Sequence, residues 1–183
     1  MTPPVVFAHL VTSGLGPVYD GIAHVLISPE DLIPVVGMGI LAGQNGPRAA
    51  RAALFTITPL WLAGGAMAWW FAQPVVAASP AAGLFILLGA LIAIAWRLPT
   101  ATIVVLSGTL GILHGWLNGV DMAREGRDPI ALVGVAGTIF VLTALSSGHV
   151  VSLTAPWSRI AVRVAGSWIA AIGLLMFGWA LRG

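Results

Sequence analysis

The chain has 183 residues, of which 58% are hydrophobic and 8% charged, with a formal net charge of +2. Soluble domains carry about 25% charged residues, so a soluble globular fold is excluded and an integral membrane protein with several spans is expected. Neither cysteine nor lysine occurs. That removes disulfides and thiolate metal sites, and the few arginines are too scattered over the loops to suggest nucleic-acid binding.

The first residues, through Ala8-His9, lack the basic region of a secretory signal. Residues 4–27 are apolar but broken by Gly14, Gly16, Pro17, Asp20 and Gly21. Such a segment suits a short re-entrant helix covered by protein better than a lipid-facing span, because irregular backbone at membrane depth must be shielded. Ser28-Pro29-Glu30-Asp31 reads as a helix start, with Ser28 at the N-cap, Pro29 in the first turn and Asp31 placed to reach back. That helix runs to about Gln44 and is short against the ~20 residues of a full crossing. Asn45-Gly46-Pro47 then turns the chain.

Further spans are expected over about Ala52–Ala72 with a kink at Pro59, Ala81–Trp96, Thr100–Val120, from Asp128-Pro129 to Leu153, and Val164–Leu181. Trp69 and Trp70 mark an interface. The fold class is therefore all-α: a bundle of about six transmembrane helices plus a short N-terminal helix, forming one domain over 1–183.

With alternate crossings, Arg48, Arg51, Arg97, Arg159 and Arg163 fall on one side, without an acid among them. Arg124, Arg127 and Arg182 fall on the other with Asp121, Glu125 and Asp128. The positive-inside rule places the first group in the cytoplasm. The Asp20–Asp31 and His114–Asp121 segments then come to the same depth near the outer face.

Ionisable groups beside a bilayer are costly and by default mark function. His114, Asn118 and Asp121 are spaced i, i+4, i+7 and share a helix face. Ser107, Gly111, Gly115 and Gly119 form an adjacent small-residue stripe suited to close helix contact. Hydrogen bonding between helices is the plainer role for His114 and Asn118. Offsetting the helix dipole accounts for Glu30 and Asp31 as well as ligation does. Asp20 lies one turn before His24 and is placed to orient its imidazole. His149 follows Thr143, Ser146 and Ser147 toward the cytoplasmic end of its span, where a solvated or helix-bonding role serves as well as a pathway. Tryptophans at span ends read as interfacial anchors, and no nucleotide loop, nucleophile elbow or zinc-protease helix is present.

Two of these runs resemble motifs of the HupE/UreJ family of small membrane proteins, regarded as nickel or cobalt permeases. The family's His-Pro-x-x-Gly-x-Asp-His element, leading into a helix that ends near Ala-Ala-Gln, corresponds to His24 through Asp31 with Ala42-Gly43-Gln44. Its His-Gly-x-x-His-Gly-x-Glu element corresponds to His114-Gly115-Trp116-Leu117-Asn118-Gly119-Val120-Asp121. Ala8-His9 sits where the family's mature chain begins.

The resemblance implies a divalent-metal site, nickel or cobalt, built from His24, Glu30, Asp31, His114, Asn118 and Asp121, with Asp20 and His9 as further candidates. Where the family has Asp-His this chain has Glu30-Asp31, and Asn118 replaces the second histidine. Imidazole suits nickel and oxygen donors suit harder ions, so these exchanges predict a broader or harder metal preference.

The leading reading is a metal-ion permease or metal-binding protein of the bacterial inner membrane, not an enzyme. A non-transporting accessory or structural subunit of a larger membrane complex is the alternative. A membrane enzyme ranks third, for want of a nucleophile. The expected partners are the lipid bilayer and other membrane subunits or a second copy of the chain, not nucleic acid.

Overall fold

The structure, a computed structural model, describes residues 14–71 and 79–181, so His9 and Arg182 lie outside the described residues. The described residues form seven α-helices and no strand: α1 (Pro17–Ile27), α2 (Pro29–Gln44), α3 (Pro47–Phe71), α4 (Ser79–Ile94), α5 (Thr100–Arg124), α6 (Ala131–Ser152) and α7 (Pro156–Ala180). The expected all-α bundle is what the described residues adopt, but the expected six spans come down to four or five, because α2 and α4 are each too short to cross alone. By length and composition α3, α5, α6 and α7 can each cross a membrane. The pair α1–α2, bent by 76° at Ser28, makes up a further broken or re-entrant span. At 16 residues, α2 alone reaches only ~24 Å at ~1.5 Å per residue, short of a hydrocarbon core of ~30 Å.

Short as it is, α2 touches every other helix of the bundle. Val35, Met38, Leu41 and Ala42 recur along it at helical spacing and are fully buried. Around this axis the helices pair through glycines. α3 and α5 run parallel: Gly111 lies on the Ile57 carbonyl, Gly115 on that of Trp61 and Gly119 on that of Gly65. α4 and α7 run antiparallel, with Gly89 against Ala170 and Gly173 against Phe85 and Ile86. α6 lies along α2, where Gly39 and Gly43 face Ser146 and Ser147.

At one end of the bundle the chain is stapled by polar contacts. Asn45 Oδ1 accepts from the Leu98 amide at 2.7 Å, and Gln44 Nε2 donates to the Ile92 carbonyl at 3.2 Å. Arg97 and Arg163 also lie at this end, donating to the carbonyls of Gln44 and Ala93.

Two expected helix starts differ in detail. Ser28 is the N-cap residue of α2, but its hydroxyl makes no capping bond, and Asp31 does not reach back to it. The Asp31 carboxylate is drawn instead into the bundle. Asp128 Oδ1 accepts from the Ile130 amide, so Asp128 closes a turn just before the helix, and α6 itself starts at Ala131. α3 continues as one helix through Pro59.

Candidate functional site

Asp31 is buried because of its helical phase. It stands on the stripe of Pro34, Val35, Met38 and Leu41 that α2 turns to the core, three or four residues ahead of each repeat. Glu30, about 100° further round the helix, is exposed. On α5 the same logic buries His114 and Asn118 beside Ser107, Gly111 and Gly115. His24 lies in the last turn of α1, and the bend at Ser28 folds it back over α2.

These phases bring three side chains from two other helices onto the Asp31 carboxylate. Asn118 Nδ2 donates to Asp31 Oδ2 at 2.7 Å. His114 Nδ1 lies 3.3 Å from Asp31 Oδ1, and His24 Nε2 lies 3.7 Å from Asp31 Oδ2. Asp31 and His114 are each 2% exposed, so solvent cannot stand in for these partners. A buried carboxylate without partners costs several kcal/mol; the Asn118 amide and the two imidazoles offset that cost.

When Nδ1–H of His114 faces the carboxylate, the lone pair of its other nitrogen is left available, the arrangement by which a carboxylate orients a metal-binding imidazole. Nε2 of His114 and Oδ1 of Asn118 are buried and have no hydrogen-bond partner among the described residues. An unsatisfied buried polar atom is costly and calls for an explanation. The imidazole ring is held between Trp61 of α3 (centroids 5.4 Å apart) and Phe85 of α4 (6.5 Å). Gly115 fixes the height of that contact, because its Cα lies directly on the Trp61 backbone.

Not all the sequence candidates converge. Asp121 shares the face of His114 and Asn118 only nominally. It falls in the last turn of α5 and is exposed, although its neighbours Val120 and Met122 are buried, and it lies within electrostatic reach of His24 and Asp31. Glu30 points outward and Asp20 is half-buried on α1. His149 is exposed near the end of α6, where its carbonyl accepts from Ser152 Oγ. Among the described residues no three His, Asp or Glu side chains stand ready as a metal cage. Trp61 and Phe85 were not singled out by sequence. The available signal was the mid-span position of Trp61, where an interfacial anchor has no interface to reach.

No curated protein and no solved structure matches the chain. A family profile described as HupE / UreJ protein matches residues 1–176. The agreement extends over nearly the whole length and includes both motif segments that meet at Asp31, and the chain belongs to the HupE/UreJ family of membrane proteins.

Proposed function

We propose that this protein is a divalent-metal permease or metal-binding protein of the bacterial inner membrane, taking its ion, nickel or cobalt by family, at the Asp31 centre. The observation that carries this reading is the buried carboxylate of Asp31, with His114 oriented against it and two lone-pair atoms, His114 Nε2 and Asn118 Oδ1, left without partners. The donors fit a borderline cation: imidazole nitrogen with carboxylate and amide oxygen.

The ion is the cargo, and the residues must rearrange to receive it. Asn118 now presents its NH₂ to the carboxylate; turning the amide over presents Oδ1 instead. His24, at 3.7 Å from Oδ2, is the loosest of the three and the least costly to displace. Two oxygen donors beside two imidazoles favour manganese or cobalt more than an all-imidazole set does. The membership and the fold speak for a transporter or accessory protein over an enzyme.

The test is calorimetric titration of the detergent-purified protein with nickel, cobalt and manganese across pH. Binding is expected at neutral pH, weakening as pH falls and protons compete for the same ligands. It is also expected to be lost in His114→Ala and Asp31→Ala. Failure of all three ions to bind at neutral pH, with the protein folded, would replace this reading with the accessory-subunit one.

A further inference from the structure

The end of the bundle opposite Asp31 holds a cavity of about 370 Å³ where the carboxy ends of α2, α4 and α6 meet the amino end of α7. Arg97, Arg159 and Arg163 line it together with Val150, Leu153 and Val162. All six carboxylates of the chain belong to the segments 20–31 and 121–128, so none can neutralise these arginines. Structural duty accounts for part of the set. Arg97 donates through one terminal nitrogen to the Gln44 carbonyl at 3.0 Å, and Arg163 Nε donates to the Ala93 carbonyl at 2.7 Å. A guanidinium has five N–H donors, so most remain. Arg159 makes no hydrogen bond or ion pair to any described residue. Three helix carboxy ends contribute about −0.5 charge each and the amino end of α7 about +0.5, so about −1 stands against the three positive charges.

A second hollow adjoins the first. A groove of about 260 Å³ between α4 and α7, lined by Ala93, Ile160, Val164 and Ser167, shares Arg163 with the cavity. Ile160 and Val164 are well exposed along it, and Trp96 and Trp157 stand exposed at the same end, as residues at a membrane surface do. A cationic chamber continuous with an apolar surface groove matches an amphiphile with an anionic head and an acyl tail.

We propose that this is a binding site for an anionic phospholipid, with the headgroup phosphate among Arg97, Arg159 and Arg163 and an acyl chain along Ile160 and Val164. Basic pockets between transmembrane helices on the cytoplasmic side recognise such headgroups. The lipid joins α7 to the ends of α2 and α4, and its binding is independent of any metal at Asp31.

Native mass spectrometry of the detergent-purified protein tests this with dioleoylphosphatidylglycerol and dioleoylphosphatidylcholine. The parent should retain the anionic lipid several-fold more than the zwitterionic one. Arg159→Gln, which removes a side chain with no partner in the fold, should lower that preference about five-fold, while Arg124→Gln at the other end leaves it unchanged. Equal retention of the two lipids, or an undiminished preference in a folded Arg159→Gln variant, would overturn the proposal. Complete displacement of the lipid by millimolar inorganic phosphate would overturn the lipid assignment in favour of a soluble-anion site.

Discussion

Replacing Gly115 by alanine tests how the imidazole of His114 is positioned. An ideal Cβ at Gly115 stands 2.2 Å from the Trp61 carbonyl oxygen, 2.8 Å from its carbonyl carbon and 2.9 Å from its Cα. Ordinary contact begins at 3.4 Å, and all three opposing atoms are backbone, so no side chain can swing aside. The helices cannot tilt locally either, because Gly111 and Gly119 are pinned one turn to each side. Alanine improves helix propensity by up to ~1 kcal/mol, but overpacking of this kind costs ~1–3 kcal/mol. Because every opposing atom is backbone, the cost falls at the upper end of that range, and the expected net loss is ~2 kcal/mol, or a fall of ~4–8 °C in melting temperature for a chain of this size. Gly137→Ala supplies the control: nothing lies within 4 Å of its Cβ, so only the propensity gain applies. Tryptophan fluorescence during heating reads both variants, and Gly115→Ala should also weaken metal binding by moving Trp61 relative to His114. If Gly115→Ala melts at or above the parent, as Gly137→Ala should, the backbone seam does not set the height of the imidazole.

Asp31→Asn keeps the shape of the centre and should abolish binding of divalent metal, whereas Glu30→Gln, on the exposed side of the same turn, should leave affinity within about twofold; calorimetry on both variants separates the two acids. Asn118→Leu removes the 2.7 Å bond to Asp31 and should cost ~1.5–3 kcal/mol, as hydrogen bonds to charged groups do, measured by denaturant unfolding; unchanged stability would mean that this bond does not hold α5 to α2. The chain has no cysteine, so single cysteines at Glu30 and Gly126 should both react with an impermeant thiol reagent from outside, and one at Ala155 only after the membrane is opened; any other pattern reverses the orientation.

Much of the fold was legible because membrane helices advertise themselves by apolar length, and six of the seven helix positions follow from runs bounded by Gly, Pro or Asn. The shared centre was legible in outline: arginine bias set the two motif segments at one depth, and the phase of α5 pointed His114 and Asn118 inward. The sequence did not reveal which carboxylate would lead. Glu30 and Asp31 are neighbours in a first turn, and only the register of Val35 and Met38 against the core separates them. Asp121 continues the i, i+4, i+7 face of His114 and Asn118, but the spacing does not record that this position opens to the exterior between buried Val120 and Met122. Trp61 was hidden because its role comes from a glycine 54 positions away, a contact no local pattern records.

The start of α2 has an electrical consequence. A helix that begins at the edge of the bundle, as this one does at Pro29 after the bend from α1, brings its free amide hydrogens with it, equivalent to about half a positive charge. Left bare, such an end draws in anions and turns cations away. Glu30 and Asp31 are the acids of that first turn. Asp31 is buried and neither acid meets a lysine or arginine in an ion pair among the described residues. With even one of the two ionised, the sign of the helix end is reversed. The two acids of that turn thereby also decide which sign of charge the helix end rejects, so Asp31→Asn combined with Glu30→Gln should let chloride or phosphate approach a position from which the parent protein excludes them.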